Sequence, residues 1–314
     1  MAIHKSSIKE GAIILVDEIE NSLEPYRLRH LIRQLRPTEN EKHQVIFTSH
    51  SDLVVVECQS KELYVTNSNC GETTIACVGE ELQGIVRSIP EAFLCKKIIV
   101  CEGKTEAGVL LSLDKSYWKE EHLKTNSQAI YLTMAEAGTT PIASPKAGGS
   151  EAPKYACALA KLNYQVAYFG DSDRDLNPSE EQMKLSGVEE VLLWEGSVEI
   201  ERRLCFDLPL PALEEFTNLA IKINGNSQSI WDKIFSILPN ADSIEQTNDV
   251  NQLLGQIGET TLRECLGKAA DEGCWFKRID KGEELGKLLA KHLNNMHNTP
   301  TMATLKSIEK WCYE

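Results

Sequence analysis

Three carboxylates set at the ends of apolar runs carry the first chemical signal in this chain. Glu102 closes the run Ile98–Cys101 and is followed by Gly103; Asp171 and Asp173 follow Val166–Phe169 and Gly170, with Asp175 just beyond. Short β-prone runs that end at glycine and lead into helix-compatible sequence read as buried parallel strands. In an open α/β sheet the ligand site lies outside the carboxyl ends of the strands, so Glu102, Asp171 and Asp173 should converge on one edge. Carboxylates gathered there repel one another unless a cation sits among them, and an all-oxygen donor set suits Mg²⁺ or Mn²⁺. Glu106 lies about one helical turn beyond Glu102 on the same side and can join them; its other reading is a solvated carboxylate on a helix face. Ser172 either bonds a ligand or fits the turn, and Asp175 reads as a turn residue ahead of Asn177-Pro178.

The elements that must hold these residues alternate in type. A strand over 97–101 leads to a helix over 104–113, then a strand near 129–134. A Gly/Pro/Ser-rich loop, AGTTPIASPKAGGSEAP, precedes a helix over 153–161, a strand at 165–169, a strand near 190–193 and a helix over 197–205. This β-α-β-α-β order implies a parallel sheet with right-handed crossovers and flanking helices, an α/β fold. The Gly148-Gly149 pair in the loop lets backbone approach a phosphate, or simply connects. Upstream, Ala12–Asp17 and Val45–Ser49 read as strands around a helix over 26–35, and Lys61–Val78, with its Asn-Ser-Asn-Cys-Gly turn, as a hairpin. Pro90 makes a reasonable boundary. From Pro209 onward the pattern is helical and polar, broken at Asn224-Gly225-Asn226 and Pro239-Asn240. The expected organisation is 1–89, 90–207 and 208–314.

The 314 residues allow two or three modest domains, and 42% hydrophobic with 25% charged residues is ordinary for a globular protein. No apolar run approaches the roughly 18–20 residues that span a bilayer, and the start lacks a signal-peptide layout. Ten scattered cysteines without a CxxC pair read as reduced thiols in a cytoplasmic protein, and zinc is not expected. The net charge of −14 argues against nonspecific polyanion binding but leaves room for a local phosphate grip. His292 and His297, five apart, have poor spacing for two ligands on one helix face.

The first strand has a more specific character. Ala12–Asp17 ends in Asp17-Glu18, Leu23-Glu24-Pro25 follows, and the second strand is closed by His50. This is similar to the Walker B, D-loop and switch-histidine sequence of ABC-type ATPases. The resemblance implies that Asp17 orients Mg²⁺, Glu18 polarises the attacking water and His50 senses the γ-phosphate. No GxxxxGK[ST] loop occurs in the sequence; Gly103-Lys104-Thr105 matches the end of one but lacks the upstream glycine. The chain thus reads as the back half of such an ATPase, whether as a fragment, a split-gene product or a degenerate descendant. ATP is expected to matter only where a Walker A-bearing partner or a missing N-terminal half supplies the phosphate loop.

Residues 95–207, through Glu102-Gly103, Gly148-Gly149 and Asp171-x-Asp173, resemble the Toprim domain. The EGxxE spacing of Glu102 and Glu106, together with the ATPase back half before it, resembles the OLD family of ATP-dependent endonucleases, including Gabija-type nucleases. That resemblance implies two divalent metals: Glu102, Asp171 and Asp173 on the first, and Glu106 on the second, shared with Glu199 from WEGSVEIERRL. Glu199 reads equally as plain helix surface. It also implies a lysine from the C-terminal region that completes the site; Lys277 is the match, with Arg278 and Lys281 as rivals and a solvated helix face as the alternative. The expected function is Mg²⁺- or Mn²⁺-dependent DNA cleavage, in anti-phage defence or DNA processing, by a chain that forms homo-oligomers. Two other readings stand beside it. One is an RNA-cleaving or toxin-like effector controlled by a separate ATPase or helicase-like partner; the other is a non-catalytic nucleic-acid-binding remnant.

Overall fold

A computed structural model describes residues 11–38, 42–69, 71–118, 134–135, 137–143, 150–239 and 241–313. The chain divides into two compact units, Met1–Cys95 and Lys96–Glu314. In the first, β1 (Ile13–Val16) and β2 (Gln44–Phe47) pair in parallel, Ile13 opposite Gln44 and Val16 opposite Phe47. Between them α1 (Pro25–Leu35) starts on a proline whose fixed φ suits a first helical turn, and it buries Leu28, Ile32 and Leu35 at i, i+4 and i+7. With α2 (Asp52–Glu57) it covers one face of the strand pair, where Val16, Val45 and Phe47 meet Ile19, Val54 and Cys58. The alternate side chains point the other way: Ile13 is 65% exposed, Leu15 74% and Ile46 50%. Parallel strands ordinarily have both faces covered, and these apolar side chains depart from that rule. The expected hairpin follows as β3 (Tyr64–Asn69) and β4 (Glu72–Cys77), with Asn69 opposite Glu72, and then α3 (Gln83–Ser88).

The second unit runs β5 (Lys97–Cys101), α4 (Lys104–Leu113), β6 (Thr139–Ala143), α5 (Ala152–Ala160), β7 (Gln165–Gly170), α6 (Glu180–Leu185), β8 (Glu190–Leu193) and α7 (Ile200–Asp207). All four strands are parallel, in the order β6-β5-β7-β8. The central strands are apolar on successive residues, and Ile98–Cys101 and Val166–Phe169 are fully buried, because helices cover both faces. The fold is mixed α/β: a parallel sheet flanked by helices, with a helical C-terminal region. Of the strand expected near 129–134, residues 129–133 lie outside the described residues; the stretch expected to be loop carries β6, which pairs with β5 at the sheet edge. Pro141 reads as a breaker, but β6 is an edge strand, which can spare one N–H. Gly148-Gly149 also lies outside the described residues.

The C-terminal helices are α8 (Leu210–Asn224), α9 (Ser227–Ile237), α10 (Val250–Ile257), α11 (Glu259–Glu272), α12 (Ile279–His292) and α13 (Pro300–Tyr313). They share one core with the sheet, in which Ile99, Phe169 and Trp194 belong with Phe216, Phe276 and Leu289. The last helix is tied back to the strands: Thr139 Oγ1 donates to the Cys312 carbonyl at 3.0 Å and Lys97 Nζ to that of Trp311 at 3.0 Å. Among the described residues no helix is long and apolar enough to cross a membrane.

The contact that matters for the site is α4 against α12. A Cβ on Gly108 would stand 2.3 Å from the Ile279 carbonyl oxygen, and one on Gly282 would stand 2.6 Å from that of Thr105. The two helices therefore meet backbone to backbone, and only glycine fits between them. Gly108→Ala is expected to destabilise the unit by about 2 kcal/mol, as forced overpacking does, measured by urea denaturation. An unchanged midpoint would mean the helices can part without cost.

Candidate metal centre

Glu102 stands at the end of β5, where its N–H still donates to the Phe169 carbonyl at 2.8 Å, one step beyond the paired strands. The strand therefore delivers the carboxylate to the sheet edge without freedom to wander. Its Oε2 accepts from the Tyr168 hydroxyl at 3.1 Å and from the Asp171 N–H at 3.0 Å. Its Oε1 accepts from the Arg174 guanidinium. The approach depends on Gly170, since a Cβ there would lie 2.7 Å from Glu102 Oε2. Burial and the neighbouring Glu102 carboxylate push the Tyr168 hydroxyl well above its ordinary value, so it stays a donor.

Asp171 follows β7 and is buried. Its Oδ1 accepts from the Ile200 N–H at 3.0 Å, in the first turn of α7. Ser172 serves the same junction: its hydroxyl accepts from the Val198 N–H at 3.3 Å. The turn after β7 is thereby fastened to the segment after β8, which carries Glu199 and Glu201. Glu199, half-buried, faces Arg202 at 3.5 Å, and Arg202 also holds Glu264 at 2.6 Å. Glu201 is wholly buried, with Oε1 lacking a hydrogen-bond partner.

Glu106, in the first turn of α4, is buried too. Lys277, just before α12, lies 2.8 Å from Asp271 and 3.4 Å from Glu201. Its loop is pinned to α4 by the Thr105 hydroxyl, which donates to the Phe276 carbonyl at 3.0 Å. That bond and the glycine crossing of α4 with α12 explain how a residue so far along the chain reaches the sheet edge.

The electrostatics bind these groups into one cluster. Burial, then Glu106, Glu102 and Glu201, push the Asp171 carboxyl up to about 10 against the opposing field of Lys277. Burial and Glu201 raise Glu106 to about 7. Glu201 is raised chiefly by burial, with Lys277 working against the shift. Burial disfavours the Lys277 charge, but Glu201 and Asp271 outweigh it, and the ammonium is held above its ordinary value. Four carboxylates lie within electrostatic reach of one another, and the carboxyl groups of Asp171, Glu106 and Glu201 are all raised, as they are where positive charge is short.

Of the residues singled out from sequence, the cluster gathers Glu102, Glu106, Asp171 and Lys277. Asp173 is exposed, 3.9 Å from Arg174. Arg278 is committed to Asp280 at 2.8 Å and Lys281 to Asn224 at 2.6 Å, which leaves Lys277 as the cation on the carboxylates. Glu201 was not singled out. It had a signal: 201, 204, 205 and 208 share the buried face of α7, so its carboxylate occupies a core position.

Among the described residues no three His, Cys, Asp or Glu side chains stand together as a ready-made metal-binding group. The donor chemistry nevertheless fits a divalent cation. The groups are oxygens, they are buried, their mutual repulsion favours retained protons, and Arg174 and Lys277 supply what positive charge reaches them.

In the first unit, Asp17, Glu18 and His50 lie at the carboxyl ends of β1 and β2. Thr48 joins them: its hydroxyl donates to Asp17 Oδ1 at 2.5 Å and accepts from the Glu18 N–H at 2.8 Å. Glu18 Oε2 accepts from Asn21 at 2.6 Å, and the His50 N–H donates to Glu20 Oε1 at 2.7 Å. Asp17 and Glu18 are thus tied to Thr48 beyond the end of β2, while the backbone of His50 is tied to Glu20. Residues 2–57 match the family described as "AAA domain, putative AbiEii toxin, Type IV TA system". The N-terminal region is therefore ABC-ATPase-like. A search of curated proteins finds no match to the chain.

Proposed function

We propose that Lys96–Glu314 is a Toprim-like nuclease unit that hydrolyses phosphodiester bonds in DNA with Mg²⁺ or Mn²⁺, set behind an ABC-ATPase-like region as in the OLD family. The observation that carries this reading is the burial of Glu102, Glu106, Asp171 and Glu201 in one electrostatic cluster beside the carboxyl ends of parallel strands, faced by Lys277. Glu102 and Asp171 would hold a first cation, with Asp173 on the same turn, and Glu106 a second, with Glu201 or Glu199. When bound, such cations activate water and stabilise the leaving oxygen. The chain's own groups do the rest. Tyr168 and the Asp171 N–H orient Glu102, the start of α7 orients Asp171, and Lys277 offsets charge that builds on the scissile phosphate.

The test is supercoiled plasmid with Mn²⁺: the parent chain should nick it, and Asp171→Ala should not. No nicking by the parent, with Asp171→Ala indistinguishable from it, would sink the reading. Lys277→Ala is expected to slow cleavage by roughly 10²-fold while Mn²⁺ affinity holds. Unchanged rates would send the role to another cation. Glu18→Gln is expected to leave cleavage unchanged, since the sequence has no phosphate loop to complete that site. ATP turnover by the parent chain that is lost in Glu18→Gln would contradict this. A second reading is a toxin-like effector, for which the support is the word 'toxin' in the description of the family matched over residues 2–57. Cleavage of structured RNA in preference to plasmid would select it.

A further inference from the structure

Lys277 reaches the carboxylate cluster from a connection whose backbone is closed at both ends. Where α11 stops, the Gly273 N–H donates to the Ala269 carbonyl at 2.9 Å, the Cys274 N–H to that of Asp271 at 2.9 Å and the Trp275 N–H to that of Ala270 at 3.0 Å. A Cβ on Gly273 would stand 2.6 Å from the Ala269 carbonyl oxygen, and Cys274 takes a φ of 52°, so the chain doubles back tightly here. Beyond the reversal the Phe276 carbonyl is held by the Thr105 hydroxyl. Such a backbone delivers Lys277 to the cluster, but it does not aim a flexible four-carbon stem. The tight reversal also brings Asp271, six residues earlier, alongside. The Asp271 carboxylate lies 2.8 Å from Lys277 Nζ, whereas each Glu201 oxygen lies 3.4 Å away. The Asp271 side chain is 29% exposed and that of Glu201 is not exposed at all, so the ammonium spans from the rim of the cluster to its buried floor.

We infer that Asp271 is a positioning residue of this site, which holds the Lys277 ammonium in place beside Glu201 for an incoming phosphate. The inference rests on the nuclease reading above and adds to it the residue through which Lys277 works. Glu201 alone holds the ammonium loosely, at 3.4 Å, and it belongs to the carboxylates that would surround a cation. With a divalent cation among those carboxylates the ammonium meets a like charge, and an anion on the rim side is needed to keep it from swinging outward. Asp271 supplies that anion through a charge-assisted hydrogen bond. Its removal should therefore cost rate through Lys277 and through nothing else, which a residue that merely stabilises the fold would not reproduce.

The experiment measures plasmid nicking in Mn²⁺ by the full-length parent, D271A, D271E, K277A and the double variant D271A/K277A. D271A is expected to lower kcat roughly tenfold, the size of one partly exposed charge-assisted hydrogen bond, with KM for the plasmid held within about twofold. D271E, which keeps the anion, should recover most of the loss. In the K277A background D271A should change kcat by less than about twofold, because a residue that acts through Lys277 has nothing left to position. The second arm needs no turnover. In EDTA, with lysines labelled with ¹⁵N, the Lys277 ammonium signal is the one missing from K277A, and its protons should exchange with water several-fold faster in D271A than in the parent. The same spectra report whether each variant is folded. Equal kcat and equal exchange in D271A and the parent overturn the inference and leave the nuclease reading standing. So does a D271A loss that persists in full in the K277A background. A parent that does not nick overturns the nuclease reading and this inference with it.

Discussion

Glu102→Ala should lower Mn²⁺-dependent cleavage by roughly three orders of magnitude or more, equivalent to about 4 kcal/mol of barrier, with the fold preserved. The size follows from what Glu102 does. It is buried at a strand end, held through Oε2 by the Tyr168 hydroxyl and the Asp171 N–H, with Oε1 facing the Arg174 guanidinium. Alanine leaves no oxygen at that point, and no neighbouring side chain on the rigid strand can move to replace it. The fold should survive because removal also relieves repulsion with Glu106 and Asp171, and the half-exposed Arg174 can be solvated. Nicking of plasmid and the far-ultraviolet spectrum measure the two halves. Cleavage within tenfold of the parent, from a folded variant, would remove Glu102 from the site.

The second large effect is on stability and runs against the usual cost of a core substitution. Asp171→Asn should stabilise the metal-free protein at pH 8, and the gain should fade as pH falls toward 4. The folded protein retains the Asp171 proton up to about pH 10, whereas the unfolded chain releases it near pH 4. Between those limits the native state binds more protons than the unfolded one, so the stability of the parent declines as pH rises. Asparagine has no proton to lose and keeps an Oδ1 that can accept from the Ile200 N–H. The burden is shared with Glu106 and Glu201, so one substitution should recover roughly 3 kcal/mol at pH 8. Urea denaturation in EDTA at pH 5 and pH 8 measures it. A parent and variant that differ equally at both would show that Asp171 is ionised without strain. Added Mn²⁺ should reverse the order, stabilising the parent and not the variant.

What the sequence could and could not disclose follows from the range of the interactions involved. The strand ends at Glu102 and Asp171 were readable because buried parallel strands are continuous apolar runs closed by glycine, a local pattern. So were the hairpin over residues 64–77 and the helix that carries Glu106. β6 was not, because Pro141 signals a break and only the position of its strand at the sheet edge makes it harmless. Glu201 was hidden in EIERRL, a charged run that reads as a solvated face until its spacing with Leu204 and Leu208 is noticed. The choice of Lys277 over Arg278 and Lys281 depends on Thr105 holding Phe276 and on glycines meeting across two helices. Those contacts join residues more than 150 positions apart, and no local pattern announces them.

The central claim is that these carboxylates hold a divalent cation. Anomalous diffraction from crystals of the full chain soaked in Mn²⁺ tests it most directly. The expected result is an Mn²⁺ peak bounded by Glu102 and Asp171. A well-diffracting soaked crystal with no peak among Glu102, Glu106, Asp171 and Glu201 would contradict it.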